Sequence, residues 1–269
     1  QQYGRTDYDT LAALGSLALA SARRERYAAA VDLLAEGRSA LQGKTERKHL
    51  AMAAALTGRQ LQTAMLAGDL EAAEAALSLL SDPDVSDPTV PNRHVLPLAR
   101  IDLSMHRGAL GQARALLDSY RGTMTVDAPS SGAFAAQLLQ LRLLLAGDDA
   151  VGAAQVGRDL LRAMQEAGVT TTWELVTAQE WAAVAAAEAG HQDRAALLFD
   201  EAAKKRATIA PPSRVELADS ELRQARLLLR LGRVAEAKRL AQTALDRLTS
   251  QHASSPRLLV ARQLLATAE

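Results

Sequence analysis

The sequence predicts an all-α protein built as a stack of helix-turn-helix units, and three observations carry that prediction. The first is composition. About a fifth of the 269 residues are Ala, Leu is the next commonest, Ile occurs twice and aromatic residues make up 3%, a mixture that favours helices over strands. The second is a turn signature that recurs six times, in which Gly or a polar residue is followed two positions on by a larger residue and five positions on by Ala. The third is that apolar residues flank each turn at helical spacing, so each turn joins two helices.

The instances are Glu25 with Tyr27 and Ala30, Gly68 with Leu70 and Ala73, Gly108 with Leu110 and Ala113, a version slipped by one from Gly147 to Ala153, Gly190 with Gln192 and Ala195, and Gly232 with Val234 and Ala237. Their spacings are 43, 40, 39, 43 and 42 residues. Gly just past a helix end takes the left-handed conformation that closes the cap. Ala five residues later sits where the second helix meets the first, and a larger side chain there would push the two apart. Leu77, Leu117 and Phe199 follow one turn further along the same buried stripe.

Polar, Pro-containing connectors divide the units at Ser81 to Asn92, Arg121 to Gly132, Gly168 to Thr172, Thr208 to Ser213 and Thr249 to Pro256. Helix starts follow several of them. Thr171 with Glu174 and Ser213 with Glu216 have capping-box spacing, and Ser255 before Pro256 reads as an N-cap with Pro at the first helical position. The chain is thereby predicted to form a single domain over 1–269, with about thirteen helices in one continuous solenoid. Its repeats fall at about 9–43, 46–82, 92–122, 131–167, 171–208 and 213–250, followed by a C-terminal helix over 256–269.

The Gly-to-Ala turn followed by Leu or Phe resembles tetratricopeptide (TPR) repeats, most clearly at Gly190, Ala195, Phe199 and Ala202 and at Gly232, Ala237, Ala241 and Ala244. The likeness extends over nearly the whole chain. It departs in period, because the standard repeat has about 34 residues, which makes these units similar to the longer-helix TPR-like repeats of bacterial signalling proteins and transcriptional activators. The Ala/Leu/Arg-rich units and the ending from His252 to Leu265 further resemble the extracytoplasmic regions of some bacterial transmembrane serine/threonine kinases. Such a resemblance implies a right-handed solenoid of about six repeats, a non-enzymatic protein-interaction or sensor module within a larger protein, and a periplasmic location; the alternative is a cytoplasmic, effector-binding regulatory region of a transcriptional activator. A bias of Arg over Lys of about five to one suits a high-GC bacterial genome.

Composition and motifs narrow the chemistry. Thirty-one basic and thirty-one acidic residues cancel, leaving no long-range field to collect nucleic acid or an anionic membrane. There is no Cys, hence no disulfide, thiolate metal site or cysteine nucleophile. Apolar runs such as Leu11 to Ala22 fall short of the roughly 20 residues that span a bilayer. A start at Gln1-Gln2 without Met, basic leader or cleavage-type signal predicts a processed region or a piece of a larger protein.

Gly37, Gly43, Lys44 and Thr45 invite comparison with a phosphate-binding loop, but five residues intervene where four are required and the segment ends a helix, so an exposed helix C-cap is the better account. His49, His94, His106, His191 and His252 never fall in a paired metal spacing. No nucleophile elbow presents a Ser. Glu180 and Glu188 lie eight residues apart on one helix, where a solvated surface is the expectation. No cofactor, metal or catalytic group is therefore expected, and the chain is read as a non-enzyme.

Trp173 and Trp181 share about one helical face. They would either anchor a peptide or fill gaps between repeats. Aligning the repeats on their turns gives a position that reads Leu19, Gln62, Asp102, Arg142, Val184 and Arg226, with His106, Glu188 and Arg230 beside it. In TPR-like proteins the first helix of each unit lines the concave groove, so the resemblance makes Gln62, Asp102, His106, Arg142, Glu188, Arg226 and Arg230 the candidate groove residues for a protein or peptide partner. A hydrated inner face without a ligand is the competing account.

Overall fold

The computed structural model describes residues 8–80, 95–123, 131–209, 213–253 and 255–268. Among them the protein is all-α, with thirteen helices. The connector from Ser81 to Asn92, the middle parts of those at Arg121 to Gly132 and Thr208 to Ser213, and His94 lie outside the described residues.

The chain divides into two compact units. The first takes in the described residues up to Leu103 together with Ser250–Pro256, and the second takes in Ser104–Thr249 and the residues from Arg257 onward. In the first unit α1 (Tyr8–Arg23) packs on α2 (Tyr27–Ser39) and on α3 (Arg47–Ala67), and α3 packs in turn on α4 (Leu70–Leu79). Leu11, Ala18, Ala30, Leu34 and Leu56 fill the space among α1, α2 and α3. Leu61, Ala64, Ala73 and Ala76 join Leu103 of α5 (Val95–His106), the helix within which the division between units falls.

In the second unit α6 (Leu110–Gly122) packs on α7 (Ser131–Ala146), which packs on α8 (Ala150–Glu166); α9 (Trp173–Glu188) meets α7, α8, α10 (Gln192–Arg206) and α11 (Arg214–Arg230), and α11 packs on α12 (Val234–Arg247). The last helix, α13 (Pro256–Thr267), joins α11 and α12 through Leu258 and Ala261, which meet Ala218, Leu222, Ala244 and Leu248. Adjacent helices thus pair across the turns at Glu25, Gly68, Asp148, Gly190 and Gly232. The first helices of neighbouring pairs also touch, α1 with α3, α7 with α9 and α9 with α11.

The turn chemistry explains the pairing. All six turn alanines, Ala30, Ala73, Ala113, Ala153, Ala195 and Ala237, are 1% exposed or less, as expected where two helices approach within a methyl group of each other. Gly68, Gly108, Gly190 and Gly232 have positive φ, as the sequence predicts; Glu25 takes the same conformation with φ 62°. The slipped turn is resolved in favour of Asp148, φ 60°. Asp148 lies 40 residues after Gly108 and 42 before Gly190, so the period is more regular than a turn at Gly147 would make it, and Ala153 stands five residues on as in every other repeat. Asp149 then caps α8 by accepting from the Gly152 amide at 2.8 Å, much as Asp69 caps α4 from the Ala72 amide at 3.0 Å.

The caps at later starts differ in one place. Ser213 and Glu216 form the reciprocal capping box read from the sequence. At α9 the cap is Thr172, not Thr171: its hydroxyl accepts from the Leu175 amide at 3.2 Å. Thr172 is the residue in extended conformation immediately before the first helical turn, which is the geometry a cap requires. Pro256 opens α13 as predicted.

Candidate interaction face and its buried charge network

Five of the seven candidate groove residues belong to the second unit and two to the first. In the first, Gln62 lies on α3 and accepts from Arg59 at 3.3 Å, while Asp102 is half-buried on α5. In the second, His106 ends α5 half-buried. Arg142 comes from α7, Glu188 from α9, and Arg226 and Arg230 from α11. With the fourth turn centred on Asp148, Arg142 precedes its turn residue by six positions, as Gln62, Asp102 and Arg226 precede theirs.

Three of these residues meet. Arg226 donates through Nε to Oε1 of Glu188 at 2.9 Å, and Arg230 pairs with Oε2 of the same carboxylate at 2.5 Å. The i, i+4 spacing of the two arginines places both on one side of α11, facing the last turn of α9. Glu188 is only 10% exposed, whereas the Arg226 and Arg230 side chains are 42% and 57% exposed. Each guanidinium has five N–H donors, so the carboxylate occupies part of this donor set and the rest faces solvent.

Arg142 stands beside Trp181. Its guanidinium carbon lies 5.5 Å from the centre of the Trp181 ring, and that of Arg223 lies 5.8 Å from the same centre. Both contacts fall in the range where a cation is attracted to the ring face. Trp181 also packs against the central apolar cluster of the unit, beside Ala182 and Ala185. The tryptophan thus fills space between helices while its ring contacts two cations; Trp173, at the start of α9, is half-buried.

Next to Trp181 stands the group that the sequence reading placed wrongly. Glu180 is not on a solvated surface: it is 1% exposed. Its Oε2 accepts from Arg223 Nε at 2.8 Å, its Oε1 from Arg206 at 3.2 Å, and Ser220 also donates to Oε1. Arg206 in turn donates to Ser220 Oγ. Glu188 is likewise largely covered. The physical reason is the position of α9, which neighbouring helices contact on most of its circumference so that eleven of its sixteen residues are buried. The sequence did hold a clue, because Glu180 stands four residues after Val176 and three before Ala183 on the buried stripe.

Helix α11 also makes ionic contacts with the two C-terminal helices. Glu221 accepts from Arg247 of α12 at 3.0 Å, and Asp219 from Arg257 of α13 at 3.0 Å. Helix α11 therefore carries Arg223, Arg226 and Arg230 along one stripe, with Asp219 one turn earlier on that stripe and Glu221 on the opposite face.

The glycine-rich segment near α2 does not form an anion cradle. Gly37 lies inside α2 against Leu56, while Gly43 has φ 75° in the turn after that helix and Lys44 and Thr45 are exposed. Among the described residues no three His, Asp or Glu side chains are grouped as a metal ion would need. Nor is any helix there long and apolar enough to cross a membrane. No protein-family model matches the chain, and no curated protein compared with it is a match.

Proposed function

We propose that this chain is a non-enzymatic protein-interaction or sensor module of a larger signalling protein, and that its partner segment lies along the first helices of successive repeats. The observation that carries the reading is the row of polar groups on α7, α9 and α11, where Arg142 and Arg223 contact Trp181 and Arg226 and Arg230 hold Glu188 with donors to spare. Paired helices recurring every 40 to 43 residues, with first helices of some neighbouring pairs in contact, support a TPR-like arrangement, and we take its winding to be right-handed on the resemblance alone. Repeats of this kind build extended surfaces suited to protein contact. Glu180 holds Arg223 and Glu188 holds Arg226 and Arg230, so a partner meets guanidinium groups that are already positioned and loses less entropy in ordering them.

Attachment to a membrane-spanning serine/threonine kinase would make the module its extracytoplasmic sensor, and ligand binding would then have to favour one kinase arrangement over another. A full-length gene with neither a membrane span nor a kinase domain would eliminate that version. The interaction itself is tested by affinity capture from envelope and cytosolic extracts, comparing the native chain with an Arg142→Glu/Arg226→Glu variant that retains native circular dichroism. The proposal expects a partner held by the native chain and lost from the variant. Capture of the same partner by both places binding elsewhere and removes the reading.

A further inference from the structure

The last four carbonyls of a helix have no acceptor role within it and need outside donors. At the end of α3 two of them are met locally: the Asp69 amide donates to Ala64 O and the Gly68 amide to Met65 O. The other two are met by a segment that lies some 185 residues further along the chain. Gln251 Nε2 donates to Leu66 O at 2.8 Å and the His252 amide donates to Ala67 O at 2.8 Å. Gln251 Nε2 also donates to the Tyr27 hydroxyl at 2.9 Å, and Tyr27 passes its own proton towards Leu66 O at 3.3 Å. Ser250 donates to the Glu25 carboxylate. These groups belong to the first unit, as does the segment Ser250–Pro256.

Gly68 records the same contact sterically. Six glycines among the described residues have positive φ; around Gly43, Gly108, Gly168, Gly190 and Gly232 a Cβ would meet nothing within 4 Å. At Gly68 it would fall 2.2 Å from Ser255 Oγ, 2.5 Å from Ser255 Cβ and 3.0 Å from Gln251 Oε1. The turn alone explains glycine at the other positions. Here the segment on top also demands it.

The site presents two carbonyls at the negative end of a helix dipole, a hydroxyl and a carboxylate, so it reads donors. Its occupant is held by hydrogen bonds around a buried glutamine amide, one of them from Ser250 to a carboxylate, and the residues from Ser250 to Ser255 include no large apolar side chain. We propose that Ser250–Pro256 is a built-in ligand, a strap that fills an acceptor-lined docking site at the end of α3 and opens separately from the helices, leaving the site to a turn-forming peptide segment with a glutamine-type amide. A segment held by polar contacts at a helix end, outside the packed apolar clusters of the helices, belongs to the part of a protein that opens before the core does.

Two measurements on the full chain test it. Gln251→Glu keeps the side chain's size but replaces its two amide hydrogens with an acceptor. In that variant hydrogen exchange at the His252 amide should quicken by tenfold or more while amides within α9 and α11 keep their native rates. A synthetic peptide spanning residues 249–257, added to the same variant, should then shift the Tyr27 and Gly68 amide resonances, and the peptide carrying Gln251→Glu should not. An unchanged His252 rate, a uniform acceleration through every helix, or a peptide that shifts neither resonance overturns the proposal. Should Gln251→Glu fail to fold, Gly68→Ala replaces it, with Gly232→Ala as the control that has the same backbone strain in open space: release of His252 by the first alone supports the strap, and release by both or by neither contradicts it.

Discussion

Arg223 donates to the carboxylate of Glu180 at 2.8 Å in a site where the glutamate is 1% exposed, and its guanidinium stands at the same time 5.8 Å from the Trp181 ring. One side chain of α11 thereby grips two consecutive residues of α9. A buried ion pair of this kind gains little over a well-packed apolar pair, yet breaking it by removing one partner is costly because the other charge stays behind.

Glu180→Ala should therefore cost about 3 kcal/mol or more, since it strands Arg223 and Arg206 together. Arg247→Ala, which breaks a pair with the more exposed Glu221, should cost about 1 kcal/mol or less. Urea denaturation of the two variants side by side checks the difference. Equal losses would mean that Glu180 is hydrated in solution.

Two helical glycines should respond to Ala with opposite signs. A Cβ on Gly157 would stand 3.0 Å from Ala182 Cβ and 3.1 Å from Leu141 Cδ1, so Gly157→Ala should destabilise by about 1 to 3 kcal/mol as α8 is pushed off α9 and α7. Gly58 in α3 has nothing within 4 Å, and Gly58→Ala should stabilise by about 0.5 to 1 kcal/mol. Thermal unfolding of both variants decides the matter.

The capping box of α11 gives a smaller, local effect. Ser213→Ala removes the hydroxyl that accepts from the Glu216 amide at 3.3 Å and should cost about 1 kcal/mol. Restoring Asp at that position should recover most of it. If Ser213→Ala is neutral in chemical denaturation, the cap is not made in solution.

One exposed carboxylate should titrate low. Hydrogen bonds from Arg233 to both oxygens of Glu236, each at 2.7 Å, hold its pKa below the ordinary glutamate value, with the Arg233 charge adding to the same direction. The folded state then binds this proton less readily than the unfolded chain. Its contribution is present above the unfolded pKa and is lost as pH falls through the folded one. A carbon-detected NMR titration should show the Glu236 midpoint rising in Arg233→Gln, and an unmoved midpoint would show that the pair does not form.

What was legible in the sequence is what repeats over short distances. Ala30, Ala73, Ala113, Ala195 and Ala237 could be read as helix contacts because each follows its turn by five residues, and Ser213 with Glu216 because both halves of the cap lie within one turn. Glycine as the marker misled at the fourth turn, where Asp148 takes the left-handed conformation with Gly147 beside it. Thr171 and Thr172 are the same residue type, and only backbone geometry tells the cap from its neighbour. Glu180 is buried by α9's neighbours, whose residues are distant in sequence, and Gln251 reaches Leu66 across 185 residues. For the candidate face, alignment brought out Glu188, Arg226 and Arg230 as a group; Trp181's two cations and the Glu180 network depend on packing that no single helix encodes.

The central claim is that the α7, α9 and α11 side of the second unit is where a partner binds. The most direct measurement places a photo-crosslinking amino acid at Leu229, half-buried beside Arg230 on α11, in one chain and at Val151 on α8, 73% exposed, in another. The account predicts that a partner from cell extract is crosslinked from position 229 and not from 151. Crosslinking from 151 alone, or equally from both, would contradict it.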